Sequence, residues 1–309
     1  MKQVAIIGTR GDDAARYVSA AVERRGGTPV WVETDRIPET VSLSWEDGHV
    51  LLGPSRLSDV RSFYVKTLRI SLPAPEPAVM AERNFQRWQD QYLAERERQS
   101  LLYGVLHSLS LDAATFINPV EAIAAHGLKL QQLDRLRRAG LPVPPSLASS
   151  SPEAVRDFAS RHGNVIYKPL AGGAMVRRLQ CEDLEGQRLE LIGNCPVLFQ
   201  AEIPGEEFRA YVLDGEPVAA FQIPTEGVVD ARANISQVRP AELPSSAWEL
   251  CLQAASTLGM VFAAVDLRRT PDGAYVLFEC NPTPAISFFD DPHEGEVISR
   301  LADHLVSHA

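Results

Sequence analysis

The segment at 262–282, FAAVDLRRTPDGAYVLFECNP, constrains the chain most. Apolar runs flank Asp272-Gly273, a dipeptide that favours a tight turn, so the segment reads as a hairpin of strands 261–269 and 274–280. With a two-residue loop at Asp272-Gly273, Asp266 falls opposite Glu279, their Cβ atoms about 5 Å apart. Asn281 lies two residues past Glu279 and therefore on the same face. A four-residue loop shifts the partner by two but keeps all three together; only an odd loop separates them. The neighbours Ala264, Val265, Leu277 and Phe278 are apolar, so two facing carboxylates repel unless a cation sits between them. Asp, Glu and Asn supply hard oxygen ligands of the kind Mg²⁺ takes, completed by water and phosphate. A solvated polar face on an edge hairpin accounts for the same spacing.

The rest of the chain interleaves strands and helices, which gives an α/β or α+β class. Residues 2–8, 13–25 and 28–32 make a β-α-β start. The loop GTRGDD that follows the first strand is neither GxGxxG nor GxxxxGK[ST], so dinucleotide-binding and P-loop readings fail there. Two strand-like runs lie around 41–52, and helices are expected over 77–108 and 121–139. Ser151-Pro152 caps another helix, which stops at Gly163. Strands follow at 164–170, 176–180, 196–203, 207–213 and 217–223, the last two meeting at Asp214-Gly215. A helix at 246–258 precedes the acidic hairpin, and another begins near 294.

Composition narrows the function classes. The 309 residues carry a net charge of −10, which disfavours unspecific nucleic-acid binding. No apolar run approaches the roughly 18 residues of a membrane span, and the N-terminus lacks a signal-like core. The four cysteines form no CxxC pair, which reads as reduced thiols in a cytoplasmic protein.

Five strings, in order, carry a resemblance over about 121–290: HGLKLQQLDRLRRAGLPVP, NVIYKPLAGGAMV, FQAEIPGEEFRAYVLDG, DARANI and VDL…FECNPTP. They resemble the ATP-grasp ligases, above all the group of ribosomal-protein glutamate ligases and graspetide (microviridin-type) macrocyclases. VETDRIPETVSL, ERERQSLLYGVLHSL and Asn118-Pro119 resemble the front end of the graspetide group. After the acidic triad that group commonly reads Asn-Pro-x-Gly-Gln, where this chain has Asn281-Pro282-Thr283-Pro284-Ala285. The resemblance implies an ATP-grasp fold in three parts: an N-terminal α/β domain over 1–120, a central lobe over 121–198 and a C-terminal lobe with the metal site over 199–309.

It also implies roles. Lys129 and Lys168 would neutralise phosphate charge, and Gly172 and Gly173 would lie over the phosphates. Gln200, Ala201, Glu202 and Ile203 would form the adenine hinge, with Glu207 on the ribose. Arg209, Arg232 and Asn234 would stabilise the transferring phosphoryl group, while Asp266, Glu279 and Asn281 would hold two Mg²⁺ ions, or Mn²⁺. Residues 224–240, with proline at both ends and Gly227 inside, are expected to form a lid carrying Arg232 and Asn234. The implied reaction joins a carboxylate to an amine or hydroxyl through an acyl phosphate, with ADP and phosphate released. The expected substrate is a precursor peptide; a small-molecule amino-acid or peptide ligase is the alternative, and a nucleotide-binding module without catalysis a third reading. A homodimer is expected from similar enzymes.

Overall fold

The computed structural model describes residues 2–37, 40–68, 82–112, 114–171, 175–185, 187–224, 238–291 and 295–309, and the backbone alone of 82–87. The chain forms two compact units, residues 1–120 with 291–309, and residues 121–290.

In the first unit β1 (Gln3–Gly8), α1 (Asp13–Arg24) and β2 (Thr28–Glu33) follow the expected β-α-β path. Asp12 caps α1, its Oδ1 accepting from Ala15 N at 2.9 Å. β3 (Leu43–Glu46), β4 (His49–Leu52) and β5 (Ser55–Arg56) make a small antiparallel sheet. β6 (Ser62–Val65), α2 (Glu82–Ser110) and β7 (Thr115–Ile117) complete the unit's main chain path. The main sheet is parallel, in the order β2-β1-β6-β7. β6 escapes a sequence reading because it is buried on both faces, leaving no alternation to detect. The C-terminal helix, Glu296–Ser307, also belongs here. The resemblance put it in the C-terminal lobe over 199–309; its apolar stripe (Val297, Ile298, Leu301, Leu305) is instead buried in this unit. Gly27 is part of that packing, since a Cβ there would lie 2.9 Å from Val306 Cγ2.

The second unit begins one residue into α3 (Val120–His126), which is followed by α4 (Lys129–Arg138). The sequence reads one helix over 121–139; the chain breaks at Gly127-Leu128, which makes Lys129 the first residue of α4. Then come β8 (Ser146–Ser149), α5 (Pro152–His162), β9 (Val165–Pro169), β10 (Arg177–Arg178), α6 (Cys181–Glu185), α7 (Gln187–Glu190) and β11 (Val197–Ala201). α5 has the expected ends, with Ser151 Oγ accepting from Ala154 N and Gly163 at φ +69°. β8–β11 form one antiparallel sheet, ordered β10-β9-β11-β8. Its core is Val155, Phe158, Val165, Leu189, Ile192 and Phe199.

β12 (Glu206–Leu213), β13 (Glu216–Ile223), β14 (Arg239–Ala241), α8 (Ser245–Leu258), β15 (Phe262–Arg269) and β16 (Tyr275–Asn281) follow. The strands form an antiparallel sheet in the order β14-β13-β12-β15-β16. β12 and β13 meet at Asp214-Gly215, both at positive φ (51° and 76°), the two-residue turn that the sequence specified. One face of the sheet packs on α8 and α4 through Phe208, Ala210, Val212, Val265, Leu267, Leu277 and Cys280. Burying each large side chain there is worth about 1.5–3 kcal/mol.

Cys181 and Cys195 are exposed, whereas Cys251 and Cys280 are buried. Burial pushes the Cys251 thiol up to about 12 and raises Cys280 as well, and alkylation needs the thiolate. Iodoacetamide should therefore label Cys181 and Cys195 in the native protein, and Cys251 and Cys280 only after denaturation, as read by peptide mass spectrometry. No helix of the described residues is long and apolar enough to cross a membrane.

Candidate active site

Strand alternation builds the site on the face of the five-stranded sheet opposite α8. On β12, Phe208 and Ala210 enter the core, so Glu207 and Arg209 point the other way; on β15 the same parity sends Asp266 and Arg268 to that face. Asp266 pairs with Glu279 across β15 and β16, as the sequence led one to expect, but the route differs. Five residues, Thr270–Ala274, separate the paired Arg269 and Tyr275, an odd loop closed by a bond from Gly273 N to Thr270 O at 2.9 Å. An odd loop alone would put Asp266 and Glu279 on opposite faces. A register shift between Asp266 and Leu267, with Phe278 the extra residue on β16, restores the parity.

The acids are met by cations. Arg209 forms a two-pronged pair with Asp266, Nε to Oδ1 at 2.7 Å and Nη2 to Oδ2 at 2.9 Å, and its guanidinium lies 4.5 Å from the centre of the Phe289 ring. Lys129 Nζ, at the start of α4, lies 3.2 Å and 3.4 Å from the two oxygens of Glu279. His126 Nε2, just before the helix break, is 3.9 Å from Glu279 Oε1. Burial alone would raise the Glu279 pKa; Lys129, Lys168 and His126 outweigh it and hold the carboxyl below its usual range. Lys168 projects from β9, and burial lowers its pKa, helped by the like charge of Lys129 and opposed by Glu279, Asp266 and Glu207. One focus thus gathers three acids and three of the expected cations.

Glu207 forms an ion pair with Arg268 Nη2, and Arg268 Nη1 donates to Ile203 O at 2.6 Å. Burial raises the Glu207 pKa in spite of that arginine. Sequence reasoning missed Arg268, although it lies directly across from Glu207 in the β12–β15 register and two residues from Asp266. It also missed His126, whose only signal was its place beside the helix break.

The hinge leaves β11 with Gln200 fully buried, its Nε2 donating to Ser146 Oγ at 2.9 Å. Ala201 N donates to Pro145 O, Glu202 N to Asn164 O, and the Glu202 carboxylate takes Arg178 at 2.7 Å. Gly205 carries the chain into β12 at φ +136°, where a Cβ would sit 2.0 Å from Arg269 O. No side chain can occupy that space without moving backbone. Gly205→Ala should therefore cost about 2–4 kcal/mol, from backbone strain together with overpacking, measured as a lowered urea midpoint.

Asn281 shares the face of Glu279, and its Oδ1 accepts from Thr283 N at 2.9 Å. An amide oxygen has two lone pairs, so one acceptor site remains. Among the described residues no group of three or more His, Cys, Asp or Glu could hold a metal ion, so the candidate set is two carboxylates and an amide. Gly172, Gly173, Arg232 and Asn234, with most of the expected lid, lie outside the described residues.

Residues 136–270 match the family model "Prokaryotic glutathione synthetase, ATP-grasp domain". The chain is 27% identical over 190 residues to tetrahydromethanopterin:alpha-L-glutamate ligase of Methanosarcina acetivorans, covering 55% of this chain and 59% of that one. It is 32% identical over 143 residues to glutathione synthetase of Photorhabdus laumondii, covering 40% of this chain and 44% of that one. The matches thus span about half the length of these curated relatives. The solved ATP-grasp ligase PsnB, complexed with a phosphomimetic variant of a minimal precursor, Mg and ADP, superimposes with a TM-score of 0.87 at 31% identity, over 100% of this chain and 98% of that one. The chain belongs to the ATP-grasp ligases. The α/β and α+β class expected for this ATP-grasp chain is the observed one; the matched segment ends after β15, which carries Asp266, and before β16, which carries Glu279 and Asn281.

Proposed function

We propose that this ATP-grasp chain is a Mg-ATP-dependent ligase that couples a side-chain carboxylate of a ribosomally made peptide to an amine or hydroxyl. The observation that carries the reading is the meeting of Asp266, Glu279 and Asn281 with Lys129, Lys168 and Arg209 on one sheet face. PsnB, similar over nearly its whole length, was solved with a minimal precursor, Mg and ADP, which supports a peptide substrate and a Mg-nucleotide.

The donor set fits Mg²⁺. Its atoms are hard oxygens, and the two facing acids are balanced in this structure by Lys129 and Arg209, a balance that a divalent cation would take over. Asp266, Glu279 and Asn281 would hold the metal, which when bound supplies positive charge to the phosphate oxygens. Lys129 and Lys168 would bind the phosphates, and the hinge at Gln200–Ile203 would take the adenine through its backbone. Glu207 would meet the ribose, oriented by Arg268. A substrate carboxylate oxygen attacks the γ-phosphorus, the bond to ADP breaks, and an acyl phosphate forms. Arg209, with Arg232 and Asn234, would stabilise the charge in transit. The amine or hydroxyl then attacks the carbonyl, phosphate leaves, and the nucleophile loses its proton. The domain boundaries at 120 and 198, a homodimer and a cytoplasmic location belong to the same reading.

The glutamate-ligase and glutathione-synthetase relatives, together with the Thr283-Pro284-Ala285 ending, favour a second reading, a ligase of free amino acids. Mass spectrometry separates the two. Peptides with acidic cores and Lys, Ser or Thr acceptors, incubated with protein and Mg-ATP, should lose one water per bond formed. A gain of one amino-acid residue would select the second reading, and an unchanged mass with either substrate pool would contradict both.

A further inference from the structure

Among the described residues β16 is the outer strand of its sheet, and no described strand pairs with its far edge. Buried backbone donors and acceptors there need partners. α4 and the turn after it supply them. Gln132, buried on α4, closes a ring of two hydrogen bonds on Cys280: its Nε2 donates to Cys280 O at 2.9 Å, and Cys280 N donates to its Oε1 at 2.9 Å. The carboxamide thus imitates the peptide group of a missing strand. Leu277 N donates to Pro142 O at 2.8 Å, which extends the cover beyond the end of α4.

Cys280 is the residue between Glu279 and Asn281, and its own side chain is sealed in the core. Rotation of its peptide planes would swing both neighbours. Lys129, three residues before Gln132 and on the same side of the helix, meets Glu279. One turn of α4 therefore grips the Glu279 side chain and the main chain beside it. Sequence reading passes over Gln132, because a glutamine inside a charged helix looks solvated until the edge strand arrives.

We infer that Gln132 is a positioning residue: its paired amide bonds to Cys280 fix the direction in which Glu279 and Asn281 present their oxygens to a divalent cation. This rests on the metal-binding reading proposed above. Outer-shell partners of metal ligands typically carry 10–100-fold in metal affinity.

The test uses the full chain with ADP and Mn²⁺ as the probe, free Mn²⁺ being counted by electron paramagnetic resonance. Gln132→Met keeps the length and removes the amide. Leu136→Ala, at a fully buried position of the same helix, loosens packing without touching that amide. Gln132→Met should weaken Mn²⁺ binding about 10-fold or more and speed hydrogen exchange in the peptide that contains Cys280. Leu136→Ala should lower the melting temperature yet hold Mn²⁺ affinity within a factor of about two. Wild-type affinity in Gln132→Met, or an equal loss in Leu136→Ala, overturns the inference alone. Glu279→Gln supplies the control: if it binds Mn²⁺ like wild type, the metal reading fails and takes this inference with it.

Discussion

Glu279→Gln should lower substrate-dependent ADP release about 10³-fold, equivalent to roughly 4 kcal/mol of barrier. The substitution keeps the shape of the side chain and one oxygen, and removes the charge. In the wild type that charge is shared among Lys129, Lys168 and His126, with Asp266 opposite on β15. An amide would attract a divalent cation weakly and would leave the two lysines facing each other without an acid between them. The ADP assay measures the loss. A variant within about tenfold of wild type, barely 1.4 kcal/mol, would remove Glu279 from the metal set.

Arg268→Met should destabilise the protein by roughly 3 kcal/mol, the low end for a buried ion pair, because it leaves the part-buried Glu207, with 17% of its side chain exposed, without its counter-charge. Replacing both, as Arg268→Met with Glu207→Leu, should recover much of that stability and lose the nucleotide affinity assigned to Glu207. The pH dependence has a definite sign. The Glu207 pKa is already raised by burial, and losing Arg268 raises it further. The folded variant then holds a proton that the unfolded chain releases, so stability is greatest below the ordinary carboxylate pKa and falls as pH rises toward the folded value. Urea midpoints of Arg268→Met should be higher near pH 5 than near pH 8, a window set by the ordinary carboxylate value near 4.3. A flat profile would mean that Glu207 finds another partner.

Local spacing made part of this site legible. Spacing within one hairpin put Asp266, Glu279 and Asn281 on one face, and Asp214-Gly215 fixed its own turn, whereas Glu207 and Arg209 were named by the resemblance and join that face only through the β12–β15 register. The acidic hairpin was read correctly as a pairing by a route that the chain does not take, because the odd loop and the extra residue Phe278 cancel. A bulge leaves no mark in a short apolar run. Features that depend on other parts of the chain stayed hidden. β6 shows no alternation, the break at Gly127-Leu128 is only a glycine in a helical pattern, and Arg268 has meaning only once β12 lies beside β15. The C-terminal helix was put in the C-terminal lobe by the resemblance, whereas its buried apolar stripe groups it with the first unit.

The most direct test of the central claim follows an oxygen atom. A substrate whose acidic side chain carries heavy oxygen is turned over with Mg-ATP, and the released phosphate is weighed. Activation as an acyl phosphate moves one labelled oxygen into phosphate for each bond formed, with ADP as the nucleotide product. Label that stays wholly in the peptide, or that appears in AMP, would contradict it.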